Sequence, residues 1–581
     1  MKKIITSIIL SLLSVVSFAQ NSNNDRPNIL LIVGDDMGFA DIGPYGSEID
    51  TPVLDSLAGQ GVAFTNFHAT PVCSVTRSEV LTGNNNIEVG LGAFDYAVYP
   101  GSKGKPGYEG YLTRNTVTIA QLLSDAGYNT YTAGKWHLGG VHGRGQGPSE
   151  WGFQKSYGIY VGGSNHWNQD VMLPDVKDPA VAKVLKEGKI PDVQKEKFYE
   201  NGQLVDRPIG VYSNDLYTNK MLEYMNDDKD NGKPFFAYMA FTTAHFPIQA
   251  PKEYIDKYYE YYLTHGYEDV KKKRFEMLKK YGIIDQSTPF PDTSKNPLVK
   301  PWESLTQKEK EQQARVFATY AGMIDSQDHS IGRIMDYLRE NNKLDNTLII
   351  YLTDNGPEGT DLRGKLSNPL LNKWVNQNFD GTTEHVGEGN TDWQIGTSWA
   401  NAATGTLQWW KGFVSEGGIR VPLIVVPPKN DKVRGKGVKV HNFTSVKDIP
   451  MTILAYANVE HPKDNYKGQK IVAPSGISIK SFLEGKTDTV RTDDQYVAFE
   501  LFGNKYIVEG NYKAAYVRKG MWGDGEWHLF DINLDPGETR PLEVQQPELM
   551  KKLIKQYDEY ATSHHIIPVK EDWNPWTAIS H

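Results

Sequence analysis

The chain has 581 residues, of which 39 % are hydrophobic and 11 % aromatic, with a net charge of −9 and a single cysteine. This length and apolar content suffice for a large packed core, and one cysteine excludes a disulfide framework. The acidic balance disfavours nucleic acids and anionic membrane surfaces as partners.

The first 20 residues have the pattern of a secretory signal peptide. Lys2 and Lys3 precede an apolar run over 4–18, and small residues lead to Gln20. Cleavage of residues 1–20 would remove two lysines and no acid, which takes the net charge from −9 to −11. The run is shorter than the ~20 apolar residues that span a membrane. We therefore expect an exported protein without a membrane span, located in the periplasm of a Gram-negative bacterium or secreted.

Four apolar runs have the length and composition of strands buried on both faces of a parallel sheet. Helical spacing predicts helices between them, near 119–126 and over 306–341. The alternation predicts an α/β fold in which helices flank a large, mostly parallel sheet and ligands bind at the carboxyl ends of its strands. The apolar runs occupy 28–33, 235–240, 347–352 and 421–426.

The pattern changes near residue 490, where short strands replace the alternation of strands and helices. We expect a catalytic domain over 21–489 and a small C-terminal antiparallel α+β subdomain over 490–581. Two charged, proline-containing stretches, 170–230 and 255–305, are interpreted as insertions over the sheet edge. The C-terminal elements are predicted as strands near 496–501, 506–508, 512–517 and 527–530 and a helix near 547–561.

Acidic side chains follow two of the predicted strands. Asp35 and Asp36 come directly after the first apolar run, and Asp354 and Asn355 follow the run at 347–352. Carboxyl ends of parallel strands meet at one edge of a sheet, so we expect these side chains to converge around a hard cation. Each residue alone is also typical of a turn. Oxygen ligands favour Ca²⁺ or Mg²⁺ over zinc.

The single cysteine, Cys73, precedes a segment that contains Arg77 and ends in Leu-Thr-Gly at 81–83. This pattern is typical of a loop entering a helix, which places residue 73 at a helix N-terminus, where anions are stabilised. A lone thiol is more often a small buried hydrophobic group.

Three further segments carry cationic or proton-transferring side chains. Lys135 and His137 are two residues apart and would point to one face of an extended chain. His245 follows the apolar run at 235–240, and Lys411 begins a glycine-containing segment that ends at Pro422. Each of these side chains, taken alone, is more often an ordinary surface or core residue.

Together these segments resemble the sulfatase family. The cysteine segment is similar to the family signature Cys-x-Pro-x-Arg followed by Leu-Thr-Gly, with Val75 where the family has Pro or Ala. The similarity runs from about residue 26 to the C-terminus. In the stretches 104–110 and 529–538 it looks most like bacterial arylsulfatases. The matching segments occur in family order and contain Asp35, Cys73, 134–139, His245, Asp354 and 411–422.

The resemblance implies an alkaline-phosphatase-like fold and hydrolysis of a sulfate ester to an alcohol or phenol plus inorganic sulfate. In this family the cysteine becomes formylglycine, whose hydrated aldehyde attacks sulfur, so a formylglycine-generating or radical maturation enzyme is an implied partner. The implied substrate is a sulfated small molecule or sulfated glycan. The implied cation is Ca²⁺, with Mg²⁺ less favoured, and its implied ligands are Asp35, Asp36, Asp354, Asn355 and the modified Cys73.

The resemblance also implies catalytic roles. Arg77 would hold the modified residue, while Lys135 and Lys411 would stabilise charge on the sulfate oxygens. His137 is the better candidate for the base near residue 73, and His245 for protonating the leaving oxygen. Lys135, His245 and Lys411 form the implied substrate-binding set.

Two alternatives stay open. A phosphoester or phosphonate hydrolase on the same scaffold needs the same cation, basic side chains and nucleophile. A non-catalytic sulfoglycan-binding protein is the second alternative, if Val75 prevents conversion of Cys73. Valine favours extended geometry as proline does, and a binding protein has no need of both histidines.

Overall fold

A computed structural model describes residues 26–94, 97–140, 144–167, 197–292, 296, 298–360, 376, 379–492 and 494–575. The predicted signal peptide and much of the stretch at 170–230 lie outside the described residues. Among the helices that are described, none is both long and apolar enough to cross a membrane.

The strands of the described residues form one large sheet and three smaller ones. They are β1 (Asn28–Gly34), β2 (Val62–Phe64), β3 (Phe67–His68), β4 (Asn129–Lys135), β5 (Lys155–Ile159), β6 (Phe198–Glu200), β7 (Gln203–Val205), β8 (Phe235–Ala240), β9 (Thr347–Thr353), β10 (Leu423–Val426), β11 (Val438–Val440), β12 (Thr444–Ser445), β13 (Asn465–Tyr466), β14 (Gln469–Lys470), β15 (Tyr496–Leu501), β16 (Asn504–Glu509), β17 (Tyr512–Tyr516) and β18 (Trp527–Asp531).

The helices range in length from 4 to 34 residues. They are α1 (Pro52–Gln60), α2 (Cys73–Thr82), α3 (Ile119–Asp125), α4 (Ser213–Asp227), α5 (Lys252–Lys280), α6 (Gln307–Glu340), α7 (Gly396–Ala403), α8 (Glu416–Ile419), α9 (Asp448–Ala457), α10 (Lys480–Leu483) and α11 (Pro547–Ser563).

The large sheet has ten strands in the order β11-β2-β10-β9-β1-β8-β4-β5-β6-β7. Its five central strands, β9-β1-β8-β4-β5, are parallel, while β10, β6 and β7 run antiparallel to their neighbours. Strands β1, β8 and β9 are buried along their whole length, as their continuous apolar runs predict. The expected α/β fold is confirmed as a mixed sheet with a parallel centre.

The stretch at 255–305, interpreted from its charge as an insertion, is mostly helix. Helix α5 packs along α6, with a kink at Gly266, where a Cβ atom would lie 2.5 Å from the Trp302 ring. Its mean hydropathy is low because many of its side chains face solvent, which is why its charged composition suggested an insertion.

The C-terminal elements lie close to their predicted positions. Strands β15 to β18 form an antiparallel meander, and α11 covers one face through Leu553 and Tyr557, which pack with Ile507 and Leu529. The small antiparallel C-terminal domain expected from the sequence is therefore present.

Candidate active site

Four oxygen-bearing side chains meet at the carboxyl edge of the central sheet and are called the acidic group below: Asp35, Asp36, Asp354 and Asn355. Strands β1 and β9 are adjacent and parallel, with Gly34 opposite Thr353, so the residues that follow them are also adjacent. The Asn355 amide donates to Asp36 Oδ1 at 2.7 Å, and the backbone N–H of Asp36 donates to Asp354 Oδ1 at 3.3 Å. All four side chains are buried. The predicted convergence of the two strand ends is confirmed.

The same side chains fit a divalent cation. Asp35 Oδ1 and Asn355 Oδ1 are buried, and neither has a hydrogen-bond partner within the described part of the chain. Ligand atoms of Asp35, Cys73 and Asp354 lie within 4.8 Å of one another. Burial, followed by the neighbouring Asp354 carboxylate, raises the pKa of Asp35 well above its ordinary value. A hard cation would satisfy both free oxygens and remove this repulsion.

Cys73 is the first residue of α2, immediately after the extended Val72, and its side chain is 3 % exposed. This confirms the expected helix start. Its Sγ lies 3.2 Å from His137 Nδ1. His137 therefore lies within proton-transfer distance of the Cys73 side chain.

Lys135 and His137 both reach the site, although not as residues of one extended strand. Lys135 ends β4, whereas His137 has a left-handed φ of 55°. A Cβ atom on Gly134 would lie 1.7 Å from the Ala240 carbonyl oxygen, so this close contact between β4 and β8 requires glycine. Lys135 Nζ donates to Asp35 Oδ2 at 2.7 Å.

Lys411 reaches the acidic group at Asp36. Its Nζ donates to Asp36 Oδ2 at 2.8 Å and lies 3.4 Å from Glu358 Oε2. Burial alone would lower the pKa of Lys411, but the Asp36 and Glu358 carboxylates outweigh it and hold the pKa well above its ordinary value. The ammonium group is therefore charged at neutral pH.

Arg77 binds the acidic group directly. Its Nη2 donates to Asp354 Oδ2 at 2.7 Å, its Nε donates to the same oxygen at 3.0 Å, and its Nη1 donates to the Lys135 carbonyl oxygen at 3.0 Å. The guanidinium thus links α2 to the ends of β4 and β9. It orients a candidate metal ligand in addition to any contact with a modified residue 73.

His245 follows β8 and faces Asp36, with Nε2 3.6 Å from Asp36 Oδ2. Its Nδ1 lies 2.6 Å from the Phe246 carbonyl oxygen, which can only accept, so Nδ1 carries a proton and a neutral ring presents an unprotonated Nε2. Burial, then Lys411 and Lys135, lower the pKa of His245 well below its ordinary value. To protonate a leaving oxygen, His245 would first have to take up a proton.

The structure adds two contacts that sequence reasoning missed. Thr76 donates its hydroxyl to the Asp354 carbonyl oxygen at 2.5 Å, and Glu358 lies beside Lys411. Thr76 directly precedes Arg77, a position that could have indicated its role. Glu358 follows the end of β9 in an irregular segment, where no periodic pattern marks it.

The ten side chains predicted for the site are joined by these contacts into one cluster.

The sulfatase family model matches residues 27–459. The chain is 37 % identical over 566 residues to an uncharacterized sulfatase of Schizosaccharomyces pombe, covering 96 % of this chain and 97 % of that protein. It is 31 % identical over 479 residues to an arylsulfatase of Klebsiella aerogenes, covering 82 % of this chain and 96 % of that protein.

Solved structures share the fold. Ps i-CgsB in complex with k-i-k-neocarrahexaose superposes with a TM-score of 0.61 at 22 % identity, covering 92 % of this chain and 93 % of that chain. The phosphonate monoester hydrolase of Agrobacterium radiobacter superposes with a TM-score of 0.53 at 18 % identity, covering 93 % and 96 %. The family match and the two relatives lead to one conclusion: the chain belongs to the sulfatase family and is a sulfuric ester hydrolase.

Proposed function

We propose that this sulfatase is exported and hydrolyses a sulfate monoester with a formylglycine made from Cys73 and a bound Ca²⁺ ion. The observation that carries the proposal is the position of Cys73. Its side chain begins a buried helix, contacts His137, and lies within 4.8 Å of two buried carboxylates. Formylglycine would supply a hydrated aldehyde as the nucleophile, and Ca²⁺ would lower the pKa of a bound hydroxyl and draw charge from the sulfate oxygens.

The surrounding side chains are assigned proton transfer and charge stabilisation. His137 is placed to accept the proton from the group at residue 73. Lys135 donates to Asp35 and Lys411 donates to Asp36. Both ammonium groups are therefore next to the acidic group, where they would stabilise the negative charge of the sulfate oxygens. His245 lies beside Asp36 and is the candidate for the proton of the leaving oxygen once it is protonated.

The substrate is proposed to be a sulfated small molecule or a sulfated glycan. Support for a glycan comes from the fold shared with Ps i-CgsB, whose structure contains k-i-k-neocarrahexaose. We further propose that residues 1–20 are a cleaved signal peptide, that the catalytic domain ends near residue 489, and that a maturation enzyme converts Cys73 in the producing cell.

The sulfate preference is tested by comparing kcat/KM for 4-nitrophenyl sulfate with that for 4-nitrophenyl phosphate, each with added Ca²⁺. We expect the sulfate ester to be hydrolysed with the higher kcat/KM. A higher value for the phosphate ester, or for a phosphonate monoester, would favour the alternative reaction. The fold shared with a phosphonate monoester hydrolase keeps this comparison necessary.

Replacing Lys411 by alanine should lower kcat/KM by about a hundredfold, the scale expected when a preorganised charge next to developing negative oxygens is lost. The measurement is steady-state turnover of 4-nitrophenyl sulfate. Lys429→Ala is the matched control, because Lys429 is a lysine that pairs with a carboxylate, Asp345, but at the exposed surface. Near-normal turnover of Lys411→Ala would remove Lys411 from the reaction.

A further inference from the structure

A buried ion-pair cluster joins the C-terminal sheet to the segment that carries Lys411. Lys513 lies on β17 and its side chain is completely buried. Its Nζ donates to the Val414 carbonyl oxygen at 2.7 Å and to Glu416 Oε1 at 2.8 Å, and lies 2.9 Å from Glu538 Oε1. The ammonium group thus has two hydrogen-bond acceptors and a second carboxylate as an ion-pair partner.

The carboxylate partners of Lys513 make further contacts within this cluster. Glu538 Oε2 accepts the backbone N–H of Glu416 at 2.9 Å. The Glu416 carboxylate also contacts His68 Nε2 at 2.9 Å and Arg420 Nη1 at 3.5 Å, and all of these side chains are buried. The segment from Val414 to Arg420 is thus tied to the C-terminal sheet through Lys513 and to strand β3 of the small β3–β12 sheet through His68.

The same segment reaches the active site through its backbone. The N–H of Lys411 donates to the Pro357 carbonyl oxygen at 3.1 Å, and the N–H of Gly412 donates to the Pro71 carbonyl oxygen at 2.7 Å, two residues before Cys73. The Gly418 carbonyl oxygen accepts the N–H of Gly356 at 3.0 Å, directly after Asn355. Displacement of this segment would therefore move Lys411 relative to both the nucleophile and the acidic group.

We propose that Lys513 is a positioning residue for Lys411, so that the C-terminal sheet sets the place of an ammonium group in the active site. The proposal rests on the catalytic role proposed for Lys411. Without the Lys513 ammonium, the buried Glu416 and Glu538 carboxylates would repel each other and the Val414 carbonyl oxygen would lose its donor. The segment after Lys411 would then shift to relieve both penalties.

The first test follows the segment without any turnover. Hydrogen–deuterium exchange of the full chain is compared for wild type, Lys513→Met and the control Lys505→Met. Lys505 lies on the adjacent strand β16, with its ammonium over the rings of Tyr516 and Trp527. We expect exchange in the peptide over 408–418 to be about tenfold faster in Lys513→Met, as for a locally destabilised segment, and unchanged in Lys505→Met. Equal exchange in all three proteins would overturn the proposal.

The second test is a double-mutant cycle that separates positioning from general destabilisation. We expect Lys513→Met to lower kcat about tenfold in wild type and less than about twofold in the Lys411→Ala background, because coupled residues are not additive. The same fold-change in both backgrounds would show a purely structural role and overturn the proposal. If wild type hydrolyses no sulfate ester, the proposed function fails, and the exchange measurement still decides whether Lys513 holds the segment.

A second variant keeps the test decisive if Lys513→Met does not fold. Glu538→Gln preserves side-chain volume and removes one charge from the ammonium's set of partners. We expect it to change exchange over 408–418 and kcat in the same direction, by less than Lys513→Met would. No change in either quantity for this variant would contradict the proposal.

Discussion

Replacing Cys73 by alanine is expected to abolish sulfate ester hydrolysis, with kcat lower by about ten-thousandfold or more, the scale seen when an enzyme loses its nucleophile. Neither a hydrated aldehyde nor a thiol would then remain next to His137. The measurement is turnover of 4-nitrophenyl sulfate together with the thermal unfolding midpoint, which should change little. Ser78→Ala is the matched control, because Ser78 lies in the same helix and its hydroxyl donates to the Val75 carbonyl oxygen within that helix.

The chemical state of residue 73 completes this experiment. The peptide that contains it, isolated from the natural host, should be lighter than the cysteine form by about 18 Da, because sulfur and two hydrogens are exchanged for one oxygen. An unmodified thiol in a fully active enzyme would overturn the formylglycine mechanism. An unmodified thiol in an inactive protein would instead support the sulfoglycan-binding alternative and identify Val75 as the residue to replace with proline.

Replacing Asp354 or Asp35 by alanine is expected to remove both hydrolysis and Ca²⁺ binding. Calorimetric titration should show Ca²⁺ affinity lower by about a hundredfold or more, since even residues behind the ligands commonly contribute tenfold to a hundredfold. Asp354→Ala also leaves the buried Arg77 without its main partner, so its unfolding midpoint should fall further than that of a surface variant.

Asp345→Ala is the matched control for the metal experiment. This carboxylate lies just before β9, pairs with Lys429 and is exposed. It should leave Ca²⁺ affinity, and the rise of the unfolding midpoint with added Ca²⁺, as in wild type. Unchanged Ca²⁺ affinity in Asp35→Ala and Asp354→Ala would place the ion elsewhere.

The sequence was sufficient to predict the convergence of Asp35 and Asp354, although they are far apart in the chain. The reason is geometric: both follow buried runs, and parallel strands bring their carboxyl ends to one edge. The start of α2 at Cys73 was predictable in the same way, from a loop followed by a helical pattern. These inferences depend on local patterns combined with one general rule of topology.

Other features could not be predicted because they depend on specific tertiary contacts. The left-handed backbone of His137 replaces the extended geometry expected from its spacing with Lys135. The charged composition of α5 concealed a helix that packs along α6. Lys513 on β17 and Glu416 on α8 are 97 residues apart in the chain, so no local sequence pattern relates them.

The burial of α2 restricts the time at which residue 73 can be modified. Every residue from Cys73 to Thr82 is buried, and the helix is tied to Asp354 through Arg77. Access of a second enzyme to this side chain would be restricted once β9 has docked beside β1. We therefore expect the proposed conversion of Cys73 to take place on the nascent or still unfolded chain. A molecule that folds with an intact thiol would then remain inactive for its lifetime, so the specific activity of a preparation would report the fraction of chains converted in time.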